Sequence, residues 1–254
     1  MKPYRKFMAG YDLHGDMQNR DVVKKFFEFS RAFFGRGSDT DVKIMGGDLF
    51  DFRGLRKKAD KAEQAESLSD DVACGIEFLS KWMEGKGQKA WLRGNHCQRL
   101  WDVAESESGD GLKRDAARKG VEELDDLCKE YRIKTYPYSK RTGLHREGKL
   151  CFLHGYAAGV YALRKTLQSY GENIIMGHTH TIQSISVEGL VPKQGWVAGC
   201  LCQLDYEYNR SMLGTLNHEN GWVYGLIFDD GNFAVYQARQ VAGKWILPTE
   251  FKEI

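Results

Sequence analysis

Short apolar runs that stop abruptly at polar or glycine-rich clusters set the rhythm of this chain. Residues 7–13 read as a buried strand whose end carries Asp12 and His14. Residues 42–45 read as a strand running into Gly46-Gly47-Asp48, and residues 90–92 as one running into Gly94-Asn95-His96. Between these strands the apolar period lengthens to that of a helix. Val22, Val23, Phe26, Phe27, Ala32, Phe33 and Phe34 fall roughly on one face, with Asp21 as the cap and Gly35 as the stop. Val72, Ile76, Leu79 and Met83 mark a second helix over 70–84. Residues 111–132 form a charged helical stretch, with Leu112, Val121, Leu124 and Leu127 partly on one face. Strands at 150–153 and 173–176 run into His154-Gly155 and Gly177-His178-Thr179-His180, with a short helix over 161–170 between them.

After His180 the helical period disappears. Residues 182–187, 196–201, 221–228, 233–239 and 244–247 read as strands, with hairpin turns at Asp229-Asp230-Gly231-Asn232 and Ala242-Gly243. Alternating strands and helices followed by a run of strands predict an α/β fold. The expected arrangement is a two-sheet β-sandwich flanked by helices, in one domain over residues 1–254, with a helical insertion or cap near 97–150. In layered α/β sheets ligands bind beyond the carboxyl ends of the strands, and the polar clusters fall there.

Composition narrows the class without choosing a partner. Hydrophobic residues make up 42% and charged residues 28% of 254 positions, an ordinary globular balance, and the net charge is +2. Four prolines and no low-complexity tract argue against a long disordered linker. The six cysteines, Cys74, Cys97, Cys128, Cys151, Cys200 and Cys202, form no C-x-x-C pair and are irregularly spaced, so reduced thiols in a cytoplasmic protein are expected. No apolar leader follows Met1, and no window approaches the roughly 18 apolar residues of a membrane span. No protein partner is predicted.

The chemistry lies in the strand-end residues Asp12, His14, Asp48, Asp51, Asn95, His96, His154, His178 and His180. Five of the seven histidines are among them. Carboxylates, imidazoles and an amide oxygen are the donors that borderline divalent metals take, and the absence of cysteine disfavours a structural thiolate zinc site. A site for two ions needs a ligand that reaches both, and Asp48, preceded by two glycines, suits that role. Two adjacent ions can hold phosphoryl oxygens and an activated hydroxide.

Asp12-Leu13-His14, Gly47-Asp48-Leu49-Phe50-Asp51, Gly94-Asn95-His96, His154-Gly155 and Gly177-His178-Thr179-His180 together resemble the motifs of the calcineurin-like metallophosphoesterase family. They stand in that family's order and span residues 12–180, about two-thirds of the chain. The resemblance implies α/β/β/α layers and two divalent ions, manganese first, with iron, zinc, nickel or cobalt also accepted. It implies that Asp12, His14, Asp48 and His180 hold one ion, and that Asp48, Asn95, His154 and His178 hold the other. His96 would be a catalytic group facing the phosphate, and Asp51 would support it or a ligand from behind. Two positions depart from the family: Cys97 stands where Asp or Glu usually follows Gly-Asn-His, and Tyr156 follows His154-Gly155.

Basic residues flank these loops: Arg53, Arg56, Lys57, Lys58 and Lys61 after Asp51, Arg93 and Arg99 around His96, and Lys113, Arg114, Arg118 and Lys119 on the charged helix. Arg53 and Arg99 are the candidate substrate contacts, able to grip a phosphate or a nucleic-acid backbone, with Trp101 and Tyr138 as stacking or core residues. The expected substrate is a phosphodiester, a nucleotide or nucleic acid. An alternative is a nucleotide-sugar lipid pyrophosphatase, because Gly47-Asp48-Leu49-Phe50-Asp51-Phe52 is similar to the run in UDP-diacylglucosamine hydrolases. A non-catalytic scaffold on the same fold is a third reading. His145 reads as a solvated loop residue, His218 as a turn residue or groove lining, and Cys200 and Cys202 as small buried residues on one strand face.

Overall fold

The computed structural model describes residues 4–57, 59, 61, 68–107, 110–204 and 217–249. Its strands are β1 (Tyr4–Gly10), β2 (Val42–Met45), β3 (Gln88–Leu92), β4 (Lys134–Tyr136), β5 (His145–Glu147), β6 (Leu150–Phe152), β7 (Asn173–Met176), β8 (Ile182–Val187), β9 (Lys193–Ala198), β10 (Gly221–Phe228), β11 (Phe233–Val241) and β12 (Lys244–Trp245). Its helices are α1 (Arg20–Phe34), α2 (Leu68–Met83), α3 (Gln98–Ala104), α4 (Gly111–Glu130) and α5 (Ala162–Tyr170). The result is a mixed α/β architecture with two mixed sheets.

The larger sheet has seven strands in the order β12-β11-β10-β1-β2-β3-β4, and the smaller has five in the order β5-β6-β7-β9-β8. β1 to β4 run parallel, as do β6, β7 and β9, so their carboxyl ends deliver successive loops to one end of each sheet. Phe7, Ala9, Ile44, Ala90 and Leu92 from the larger sheet share one buried cluster with Leu150, Phe152, Ile175 and Ala198 from the smaller. The rings of Phe7 and Phe152 meet edge-on at 5.5 Å.

A second cluster joins α1 to α4 with Met8, Met45, Trp91, Trp222 and Tyr224 of the larger sheet. Helix α1 starts where the Asn19 side chain accepts from Val22 N–H and stops at Gly35, whose φ is 61°. The cap is therefore Asn19, one position before the helix, and the expected Asp21 sits inside the first turn. The α1 ring of Phe26 packs on Phe78, Trp82 and Trp222. Helix α4 contributes Ala117, Leu124 and Cys128 to this cluster, so one face of the charged helix is core.

Several expectations change. The first strand ends at Gly10, so Asp12 and His14 occupy a loop, and the strand expected at 196–201 is Lys193–Ala198. α3, β4 and β5 had no expected counterpart. His145 is buried, not solvated: Tyr136 Oη lies 2.7 Å from its Nδ1, and Glu147 Oε1 lies 2.9 Å from its Nε2. Trp101 is core, with the Arg93 guanidinium 4.3 Å over its ring. No helix among the described residues is long and apolar enough to cross a membrane.

Candidate metal centre

Every candidate side chain hangs from a loop that leaves the carboxyl end of a parallel strand. β1 leads to Asp12 and His14, β2 to Asp48 and Asp51, β3 to Asn95 and His96, β6 to His154, and β7 to His178 and His180. Direct contacts join all nine. His14 Nε2 lies 3.2 Å from His180 Nε2, and its Nδ1 is 2.9 Å from Asp51 Oδ1. Asp48 Oδ1 accepts from His96 N–H at 2.8 Å, while Asp48 Oδ2 lies 3.1 Å from His154 Nε2. That same nitrogen is 2.9 Å from Asn95 Oδ1, and Asp12 Oδ2 accepts from His178 N–H at 2.8 Å.

The backbone is bent to make this convergence. Among the described residues eight non-glycine positions have positive φ, and five of them are Asp12, His14, Asp48, His178 and His180. Left-handed backbone costs a side-chain-bearing residue on the order of 1 kcal/mol or more, and its clustering marks a functional site. Gly47 and Gly94 let the chain approach closely: a Cβ on Gly47 would meet His154 Nδ1 at 2.1 Å, and one on Gly94 would meet Asp48 Oδ1 at 2.1 Å.

Asp51 decides the state of two imidazoles at once. Its Oδ1 is 2.9 Å from His14 Nδ1 and 2.5 Å from His96 Nδ1. A carboxylate only accepts, so both histidines carry a proton on Nδ1, and His14 would present its Nε2 lone pair to the centre once a cation displaces the proton there. Asp51 thus supplies His96 with the acid that residue 97 lacks. Cys97 is buried with its thiol on the Phe50 carbonyl, and burial pushes its pKa up, so it stays a neutral packing group.

Asp12, Asp48 and Asp51 draw positive charge into the centre. Burial works to lower the His14 pKa, but the Asp51 hydrogen bond and nearby carboxylates overcome it and hold the value at about 10. His154 and His180 are raised too, against burial: His154 chiefly by Asp48, and His180 by Cys202 ahead of Asp12. His178 is depressed to about 4, by burial and then by His154. Protons on these rings occupy the place of other cations, and a divalent ion would displace them.

The donor set fits divalent ions. Asp12 Oδ1 is fully buried and takes no hydrogen bond, an expensive state for a carboxylate oxygen without a cation. His154 Nδ1 lies 3.3 Å from the Gly46 carbonyl, and its Nε2 lies 2.9 Å from Asn95 Oδ1 and 3.1 Å from Asp48 Oδ2, so an ion replacing the Nε2 proton would meet three donors. One donor atom each from Asp48, His154 and His178 lies within 4.8 Å of the others, and the same holds for His14, Asp48 and His96. Asp48 belongs to both groups.

The flanking cations are placed differently from their expected use. Arg53 makes a two-pronged contact with Asp16, at 2.9 and 2.7 Å. Arg99 donates through Nη1 to the Asp51 carbonyl at 2.8 Å. Lys58 lies outside the described residues. Two further side chains join the site: His218, expected as a turn residue or groove lining, and Cys202, expected as a small buried residue. The His218 ring lies 5.0 Å from that of His180, and Cys202 Sγ lies 3.9 Å from His180 Nδ1. A Cys-x-Cys at the end of an apolar run gives no sequence signal that distinguishes a ligand from a buried filler.

No family model matches the chain, and no curated protein matches it. Solved structures that align with it include a cold-active protein-tyrosine phosphatase of a psychrophile Shewanella species, at 13% identity over 91% of this chain and 80% of that one, with a TM-score of 0.36. Phosphopantetheinyl hydrolase from Mycobacterium tuberculosis aligns at 11% identity over 79% of this chain and 91% of its own, also with a TM-score of 0.36. A likeness of that size carries no argument about function, which rests on this chain's own side chains.

Proposed function

We propose that this protein is a two-metal phosphoesterase of the calcineurin-like type, in α/β/β/α layers within one domain, acting on phosphodiesters of nucleotides or nucleic acid. The observation that carries the reading is Asp48. It is common to two groups of closely spaced donors, one with His154 and His178 and one with His14 and His96. Asp12, His14, Asp48 and His180 would hold one ion, and Asp48, Asn95, His154 and His178 the other. Bound there, two divalent ions supply a lowered pKa for water and neutralising charge for phosphoryl oxygens.

The protein's own groups do the rest. Asp51 fixes the His14 tautomer and orients His96. Among the described residues no protein partner takes His96 Nε2, and the ring remains partly exposed. That nitrogen delivers a proton to the leaving oxygen as the phosphorus–oxygen bond breaks. Burial of Asp12, Asp48 and His154 keeps bulk water from competing for the ligands.

A neighbouring cleft favours an anionic substrate. A cavity of about 480 Å³ between residues 55–57, α3 and α4 is lined by Arg56, Lys57, Arg99, Lys113 and Arg114, with Asp102 and Asp110 as the opposing charges. Five cations against two carboxylates leave the lining net positive, which suits a phosphate-bearing substrate. The test uses manganese-loaded protein and bis-p-nitrophenyl phosphate: wild type hydrolyses it, and Asp48→Asn does not. Unchanged hydrolysis by Asp48→Asn would sink the proposal.

A further inference from the structure

Cys202 occupies a position that the five-motif reading leaves without a role. The segment 200–203 is fastened to the loop that bears Asp12 and His14. Leu201 N–H lies within reach of the Tyr11 and Asp12 carbonyls at 3.0 and 3.1 Å, Asn19 N–H donates to the Leu201 carbonyl at 2.8 Å, and Gln203 N–H donates to the Met17 carbonyl at 2.9 Å. Gln18 and Cys202 form an antiparallel bridge, and Asn220 Nδ2 donates to the Cys202 carbonyl at 2.6 Å. The backbone therefore has little freedom to carry the thiol elsewhere.

The thiol is fully buried, with Met17 and Leu204 packed against its cluster and the His180 ring also beside it. Its sulfur lies 3.9 Å from His180 Nδ1, and one donor atom each from His14, His180 and Cys202 falls within 4.8 Å of the other two. Buried cysteine usually behaves as a small apolar filler. Here the imidazoles of His14 and His180 bound the same corner, and Asp12 Oδ2 lies 4.0 Å from the other His180 nitrogen, Nε2. Three closely spaced nitrogen and sulfur donors, each from a separate loop, have the composition of a thiolate-containing metal site.

We propose that Cys202 is a thiolate ligand of the ion held by Asp12, His14 and His180, and that it biases that position toward zinc, iron or cobalt and away from manganese. The inference rests on the two-metal reading. On binding, the sulfur–hydrogen bond is replaced by a sulfur–metal bond and one proton leaves to solvent. A soft sulfur donor favours the thiophilic ions, while an all-oxygen-and-nitrogen position accepts manganese readily. The pairing of one sulfur-bearing and one sulfur-free position would let the protein hold two different metals.

The experiment is a titration of chelator-stripped full-length protein with Co(II) under anaerobic conditions, followed by absorption spectroscopy. The wild type is expected to show visible d–d bands together with an intense near-ultraviolet sulfur-to-cobalt charge-transfer band. Cys202→Ser keeps the d–d bands and loses the charge-transfer band, whereas Cys200→Ser keeps both. The zinc-over-manganese preference, measured by competition, falls by about tenfold or more in Cys202→Ser. Wild-type d–d bands without charge transfer overturn the thiolate assignment and leave the two-metal reading standing. Absence of any d–d band overturns both. Because the wild-type spectrum alone discriminates, failure of the serine variant to fold does not blunt the test.

Discussion

Replacing Asp51 by asparagine probes a residue that the proposed ligand sets leave out but that touches two of the clustered histidines. One oxygen, Oδ1, serves both His14 Nδ1 at 2.9 Å and His96 Nδ1 at 2.5 Å. The carboxyl is held far below its usual range; burial opposes this, and the bonds from His14 and His96 outweigh it. Each charge-assisted hydrogen bond contributes about 1.5–3 kcal/mol. An amide keeps that accepting oxygen but not its negative charge, so both bonds lose their charge assistance, and its NH2 group would stand where Asp51 Oδ2 faces Arg53 at 4.0 Å. The variant is expected to bind metal about 10–100-fold more weakly, the usual cost of losing a partner behind a ligating histidine. A misdirected His96 should lower kcat by about 10²–10⁴-fold on a substrate with a poor leaving group. Isothermal titration of stripped protein with zinc or manganese reads the first effect, and kcat of metal-saturated protein reads the second. Wild-type metal affinity together with wild-type kcat would refute the reasoning.

Two further substitutions test the surrounding structure. In Gly94→Ala the new Cβ would sit 2.1 Å from Asp48 Oδ1 and 2.4 Å from Asp48 N, so backbone must move; the expected result is about 1–3 kcal/mol lost on thermal unfolding and a reduced metal content, and full metal occupancy would contradict it. Glu147 is held below its ordinary value of 4.5, since contacts with His145 and Arg5 outweigh the opposing effect of burial. The native state therefore binds fewer protons than the unfolded chain below that value, and this stability is complete above 4.5 and is lost as pH falls through the folded value. Glu147→Gln should cost about 1–3 kcal/mol at neutral pH in urea unfolding and flatten the acid limb, and an unaltered acid limb would count against the assignment.

Much of the fold could be read from hydrophobic period alone, because β2, β7, β8 and β10 each carry an uninterrupted or alternating apolar pattern bounded by turn residues. The turn Ala242-Gly243 was legible for the same reason, and both residues have positive φ. The elements without a sequence signal are short or polar. β4 and β5 have three residues each, and β5 reads His-Arg-Glu, whose burial depends on Tyr136 of β4 and on Arg5 of β1, distant in sequence. α3 begins directly at Gln98 behind the Gly94-Asn95-His96 loop, with no capping side chain to announce it.

In the candidate site, residue types and their spacing marked the nine strand-end side chains, and the structure gathers them. What spacing could not convey was their division of labour. Asp51 and Cys97 are neighbours of His96 in different senses: Cys97 is adjacent in sequence and turned to the Phe50 carbonyl, whereas Asp51 is distant in sequence and touches the ring. Arg53, close to the ligands along the chain, is held by Asp16, a residue whose relevance no local pattern carries. Cys202 and His218 reach His180 because residues 201–203 are hydrogen-bonded to residues 11–19 and Glu219 N–H bonds the His180 carbonyl, pairings distant in sequence.

Elemental analysis of full-length protein purified with excess manganese and zinc and then desalted tests the central claim most directly. The account predicts about two metal ions per chain, lost together with phosphodiester hydrolysis in Asp48→Asn. A wild-type protein that is folded, metal-free after this loading and still hydrolytic would contradict it.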